Sequence, residues 1–229
     1  MVIGGLQKFS LSDFPGLISA IIFTRGCDFR CPYCHNPELV DPSRFASSIP
    51  LDEVMDFLRS RAGRLQGVVV TGGEPTIHPD LPAFLAGLKG MGFAVKLDTN
   101  GTNPGMLQRL AADRVLDYIA MDIKAPPARY ASTVQAPVAV KDLLLSVDLV
   151  RHSGIPHEFR TTFVEEFLST TDVLAIAELV KGCQRYVLQP FRGGKVLDAG
   201  LKASEPENRI RLTEIARIVA AAGYTVELR

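Results

Sequence analysis

The sequence predicts an α/β protein folded as a partial (β/α)6 barrel, in one domain spanning residues 1–229. Three observations carry this expectation. Six short β-branched runs alternate with longer amphipathic stretches. The runs are apolar almost end to end, as strands of a parallel sheet covered by helices are. Each run also delivers polar or glycine-rich residues to the end where such barrels keep their chemistry. A closed eight-unit barrel typically takes about 250 residues, so six units in 229 point to an open one.

The first strand, "SAIIFT" (19–24), leads into "TRGC". A helix is expected over 51–63, then "GVVVTG" (67–72) ending in "TGGEP". Helix 80–91 precedes "AVKLDT" (94–99) with "DTNG", and helix 104–113 precedes "YIAMDI" (118–123) with "DIKAP". Helix 138–153 leads to "EFRTTF" (158–163), whose "RTT" faces the same end. Helix 172–182 leads to "RYVLQP" (185–190) with "QPFRGG", and a last helix covers 207–222. Asp52, Asp80 and Asp172 stand near helix starts, where a carboxylate can accept orphan backbone N–H bonds. No internal repeat, low-complexity tract or linker divides the chain.

Composition narrows the classes. The chain is 47% hydrophobic and balances 25 basic against 25 acidic residues, which gives no electrostatic reason to bind nucleic acid or an anionic membrane. No apolar run approaches the roughly 20 residues of a spanning helix. The opening "MVIGGLQKFSLSDFPG" lacks a basic stretch followed by an apolar core, so a reducing cytoplasm is the expected setting. There, four cysteines are poor material for disulfides.

Three of those cysteines, Cys27, Cys31 and Cys34, fall within "FTRGCDFRCPYCHNPE". Zinc on these and His35 stays open but strained, because the adjacent Cys34 and His35 side chains diverge. "CPYCH" fits the C-x-x-C-H haem-attachment pattern, which suggests a haem or electron-transfer protein but leaves Cys27 unexplained. Three thiolates at C-x3-C-x2-C suit a cubane cluster with one iron left open to a small molecule. Cys183, before the last strand and at the opposite end of the barrel, reads as a packed thiol.

"CDFRCPYC", with Tyr33 before its third cysteine, resembles the signature of the radical S-adenosylmethionine (SAM) superfamily, and "GGEP" (72–75) its glycine-rich motif. "FSLSDFPG", "CHNPELV", "KLDTNG", "AMDIKAP", "EFRTT" and "LQPFR" together resemble the activating proteins of anaerobic ribonucleoside-triphosphate reductase, relatives of pyruvate formate-lyase activating enzyme.

The resemblance implies a TIM-like partial barrel of the radical SAM type, with a 4Fe–4S cluster on Cys27, Cys31 and Cys34. The open iron would take the amino and carboxylate groups of SAM, whose reductive cleavage yields a 5′-deoxyadenosyl radical. Gly72 and Gly73 would admit the methionyl amine closely, Glu74 would contact it, and Tyr33 would pack near the adenine. Asp98, Thr99 and Asp122 are implied ligands of a monovalent cation, with Lys124 on the SAM carboxylate. Asp98, Asp122 and Lys124 could instead form a plain salt bridge. Gln189 and Arg192 would reach the ribose, and Arg160, inside the barrel, needs an anionic partner. His35 and Asn36 would shape the cluster loop, while His78, His152 and His157 share no spacing. The implied partners are a glycyl-radical enzyme, the anaerobic reductase, and a flavodoxin- or ferredoxin-type electron donor. The competing enzymatic reading is a small-molecule radical SAM enzyme such as a deazapurine synthase.

Overall fold

The computed structural model describes residues 1–201 and 205–229. All six expected strands form, and two more flank them. In chain order they are β1 (Ile3–Ser10), β2 (Ser19–Thr24), β3 (Gly67–Gly72), β4 (Ala94–Thr99), β5 (Tyr118–Asp122), β6 (His157–Phe163), β7 (Tyr186–Pro190) and β8 (Glu227–Leu228). They make one sheet in sequence order, parallel from β2 to β8, with β1 antiparallel against β2. The edge strands β1 and β8 do not pair with each other, so the barrel stays open.

Neither flanking strand was expected. "IGGLQKFS" carries two glycines and no apolar run, and β8 has only two residues. Backbone pairing to β2 and β7 decides both, and that pairing is invisible to side-chain pattern.

The helices are α1 (Pro37–Val40), α2 (Leu51–Arg61), α3 (Leu81–Gly90), α4 (Pro104–Ala112), α5 (Tyr130–Val134), α6 (Val140–His152), α7 (Thr170–Leu179) and α8 (Glu205–Ala221). Among the described residues, none is long and apolar enough to cross a membrane. The expected caps need correction. Asp80 occupies the N-cap of α3 without capping it, because its carboxylate is taken by the Met1 amino group. Asp52 accepts only from the neighbouring Glu53 amide. Asp172 does serve its helix, from the third position of a capping box with Ser169.

Register sorts the strand residues between two faces. Val69 pairs with Lys96, Lys96 with Tyr118, Asp98 with Ala120, and Asp122 with Arg160. Paired residues in a parallel sheet point the same way, so all of these share the inner face. The opposite face, with Ile22, Val68, Val70, Leu97 and Leu188, packs under the helices as the main core. The inner face has a small apolar floor of Phe14, Ile21, Val69, Tyr118 and Ala120, closed by Phe14 against the Tyr118 ring. Above that floor the inner face turns polar.

Candidate functional site

The loop after β2 carries the three cysteines. Its backbone is held by a turn from the Cys34 amide to the Cys31 carbonyl at 3.0 Å. Arg30 donates to the Cys27 and Phe29 carbonyls at 2.7 Å each. From across the barrel, the Leu197 amide donates to the Cys34 carbonyl at 3.0 Å and the Asp198 amide to the Pro32 carbonyl at 2.8 Å. His35 Nε2 meets the Arg192 carbonyl at 2.8 Å, and Asn36 donates to the Gly72 carbonyl at 3.3 Å. Both side chains therefore brace the loop.

Burial pushes all three thiols upward, Cys31 to about 12 despite the opposing charge of Lys124. Metal binding requires the deprotonated thiolates, so it would release protons from them. Among the described residues no three His, Cys, Asp or Glu side chains converge as a single-ion site would.

The glycine-rich loop after β3 locks onto the cysteine loop through backbone. The Gly73 amide donates to the Thr24 carbonyl at 2.9 Å, and the Glu74 amide to the Gly26 carbonyl at 2.8 Å. A Cβ at Gly72, whose φ is +117°, would sit 2.4 Å from the Thr24 nitrogen. At Gly73 it would sit 1.9 Å from the Gly26 oxygen. The close approach these glycines permit is thus to the neighbouring loop itself.

Glu74 also differs from expectation. It is 0% exposed, and its carboxylate is saturated by Thr76 N and Oγ1, Thr99 Oγ1 and Asn100 N. Burial raises its pKa to about 7 against the pull of these four donors. Asn100 passes the connection on, donating to Asp28 of the cysteine loop at 2.7 Å. Glu74 and Asn100 therefore tie the β2, β3 and β4 loops together. Thr99, committed to Glu74, turns its hydroxyl away from Asp98 and Asp122.

Those two carboxylates stand in a ladder of cations. Lys96, 1% exposed, donates to Asp98 at 2.5 Å. Arg160 bridges Asp98 at 3.2 Å and Asp122 at 2.8 Å, and Lys124 donates to Asp122 at 3.0 Å. Burial would raise both carboxyl pKa values, but the neighbouring cations, Arg160 foremost, hold them below the ordinary range. Burial likewise works against Lys124 and Arg160, and the carboxylates keep both firmly charged. Arg160 thus has protein acids as partners. Lys96 was missed in the sequence, although its place two residues before Asp98 puts it on the same strand face.

One cleft of about 200 Å³ gathers Cys27, Cys31, Cys34, Tyr33, Gly72, Gly73, Glu74, Asp98, Thr99, Asp122 and Lys124. Tyr33 packs on Phe167, and its buried hydroxyl has no hydrogen-bond partner among the described residues. Gln189 and Arg192 line a neighbouring cavity that shares His35 and Thr162 with this one. Cys183 packs at the margin of the main core and does not line the cleft of the other three cysteines.

A protein-family model described as the radical SAM superfamily matches residues 21–174. The chain belongs to the radical SAM superfamily. It is 32% identical over 223 residues to a Methanocaldococcus jannaschii protein whose provisional name is glycyl-radical enzyme activating enzyme, covering 95% of this chain and 91% of that one. It is also 27% identical over 201 residues to the 7-carboxy-7-deazaguanine synthase of Thermococcus kodakarensis, covering 79% and 78%. Streptococcus suis SuiB, in a crystal structure bound to S-adenosylmethionine, aligns with a TM-score of 0.67 at 13% identity. That alignment covers 91% of this chain and 51% of SuiB, and it shows a shared fold. The open, largely parallel barrel is thus the superfamily's partial barrel, and a cluster and SAM are the superfamily's cofactors.

Proposed function

We propose that this radical SAM protein is an activase that takes a Cα hydrogen from a glycine of a partner enzyme. The observation that carries the reading is the likeness to the archaeal activating enzyme, at 32% identity over 95% of the chain. The sequence motifs favour an anaerobic ribonucleoside-triphosphate reductase as partner, with a flavodoxin- or ferredoxin-type protein as the one-electron donor in the cytoplasm.

The residues present fit the cofactors. Cys27, Cys31 and Cys34 would hold three irons of a 4Fe–4S cluster, since their thiols share one cleft with a buried, unpartnered Tyr33 hydroxyl. When bound, the reduced cluster supplies the electron that cleaves SAM to methionine and a deoxyadenosyl radical. The remaining work belongs to the chain. Gly72 and Gly73 keep the two rim loops in backbone contact, and Glu74 with Asn100 fixes their spacing. Lys124, which lines the cleft and donates to Asp122, would meet the SAM carboxylate. A monovalent cation would have to share Asp98 and Asp122 with Arg160, so the ladder leaves it a minor role.

The second reading, a deazapurine synthase, rests on the 27% identity to the Thermococcus enzyme over 79% of the chain. One experiment separates the two. Protein reconstituted anaerobically with iron and sulfide is mixed with reductant, SAM and a reductase labelled with deuterium at glycine Cα. The activase reading expects a glycyl-radical doublet by electron paramagnetic resonance and deuterium in the released deoxyadenosine. Label retained in the reductase while a deazapurine precursor is consumed would reverse the order of the readings.

A further inference from the structure

Beside the cysteine cleft lies a cavity of about 400 Å³, bordered by residues that follow both edge strands: Ser12 and Asp13 after β1, and Arg229 after β8. It therefore opens through the unclosed side of the barrel. The two cavities share only His35 and Thr162. No cysteine lines the second.

Its wall is basic. Arg160, Arg192 and Arg229 face one carboxylate, Asp13, which already accepts from the Ser10 and Ser12 hydroxyls. Two of the arginines are committed: Arg160 to Asp98 and Asp122, and Arg229 to the buried Glu158 at 2.9 and 2.7 Å. The Arg192 guanidinium has no partner among the described residues, and neither do the side chains of Gln189 and Thr162. Gln189 and Thr162 are register partners on β7 and β6, so they face the same way.

We propose that this cavity receives the substrate rather than SAM. Arg192, assisted by Gln189 and Thr162, binds a carboxylate borne by an acidic residue near the target glycine of the partner's segment. The proposal rests on the activase reading for the identity of that substrate. A guanidinium presents a planar fork that matches a carboxylate with two parallel hydrogen bonds, and an amide and a hydroxyl beside it supply further donors. Holding the acid there would bring the neighbouring glycine to the junction at His35 and Thr162, next to the cysteine cleft. The family resemblance implies the ribose for Gln189 and Arg192; the proposal gives them the substrate instead, since both line this cavity and not the one with the cysteines.

The test uses SAM-loaded, cluster-reconstituted protein and fluorescein-labelled heptapeptides with a central glycine, made as glutamate and glutamine pairs at each flanking position. Anaerobic anisotropy measures each affinity. At one position the glutamate peptide should bind about 5- to 10-fold tighter than its glutamine twin, as for a charge-assisted pair that keeps some solvent contact. Arg192→Gln should erase that preference, and Arg192→Glu should transfer it to a lysine peptide. Iron content is measured on each variant to show that it carries its cluster. Glutamate preference at no position, or a preference that survives Arg192→Gln, overturns the proposal. If the acid preference follows Arg192 but no glycine Cα deuterium reaches deoxyadenosine, the carboxylate subsite stands and the glycine-activation reading fails. Deuterium transfer without acid preference has the opposite meaning.

Discussion

Replacing Gly73 with alanine tests whether the cysteine loop and the glycine-rich loop behave as one rigid unit. The added Cβ would lie 1.9 Å from the Gly26 oxygen and 2.7 Å from its carbonyl carbon. Both are backbone atoms, so no side-chain rotation relieves the overlap. Packed atoms at these positions keep roughly 3 Å or more apart, and the loops must separate by about 1 Å. The Gly73 amide bond to Thr24 at 2.9 Å and the Glu74 amide bond to Gly26 at 2.8 Å then stretch beyond hydrogen-bonding length. Two such bonds contribute about 1 kcal/mol each, and residual strain adds about 1 kcal/mol or more. A loss of about 3 kcal/mol should lower the melting temperature of a chain this size by roughly 6–12 °C. Because Gly26 directly precedes Cys27, cluster assembly should suffer as well.

Circular dichroism melts and iron analysis under anaerobic conditions read both effects. Gly90→Ala is the matched control: it sits in the last turn of α3 with nothing within 4 Å of the new Cβ. That change should be neutral or slightly stabilising, by at most about 1 kcal/mol. If Gly73→Ala melts within about 2 °C of the parent and loads normal iron, the rigid-unit argument is wrong.

Three further outcomes follow from the same geometry. Alanine at Cys27, Cys31 or Cys34 should abolish cluster assembly, whereas Cys183→Ala should leave iron content intact, since that thiol packs at the core margin. Asp98→Ala leaves Lys96, 1% exposed, without its carboxylate. Breaking such a buried pair costs about 3–5 kcal/mol, so its melting point should fall alongside any loss of SAM affinity. Glu158 has its pKa held below the ordinary 4.5 by Arg229 and Arg160 against the opposing effect of burial. The unfolded chain therefore takes up that proton first as pH falls, and the stability Glu158 contributes at neutral pH is lost below about pH 4.5. Glu158→Gln should accordingly flatten the acid limb of a plot of melting temperature against pH; an unchanged limb would remove Glu158 from the account.

Six strands and the cysteine triad were legible in the sequence because each is written locally. A strand covered on both faces is apolar along its length, and a cluster loop declares itself by spacing within eight residues, 27 to 34. The strands also placed "TGGEP", "DTNG" and "DIKAP" at one rim, and the family resemblance nominated Asp98, Asp122 and Lys124 there. What each rim side chain does there was decided by tertiary structure. Glu74 was expected to contact the methionyl amine, yet four donors from two loops enclose its carboxylate. Arg160 finds its acids on β4 and β5 only because register sets them on its face. Gln189 and Arg192 line the cavity next to the cysteine cleft, beside Thr162 and His35, which border both. Strand and loop propensities are properties of a few neighbouring residues. The partner of a buried charge is fixed by backbone register between segments tens of residues apart, and desolvation leaves that charge stable only where the register supplies its counter-ion.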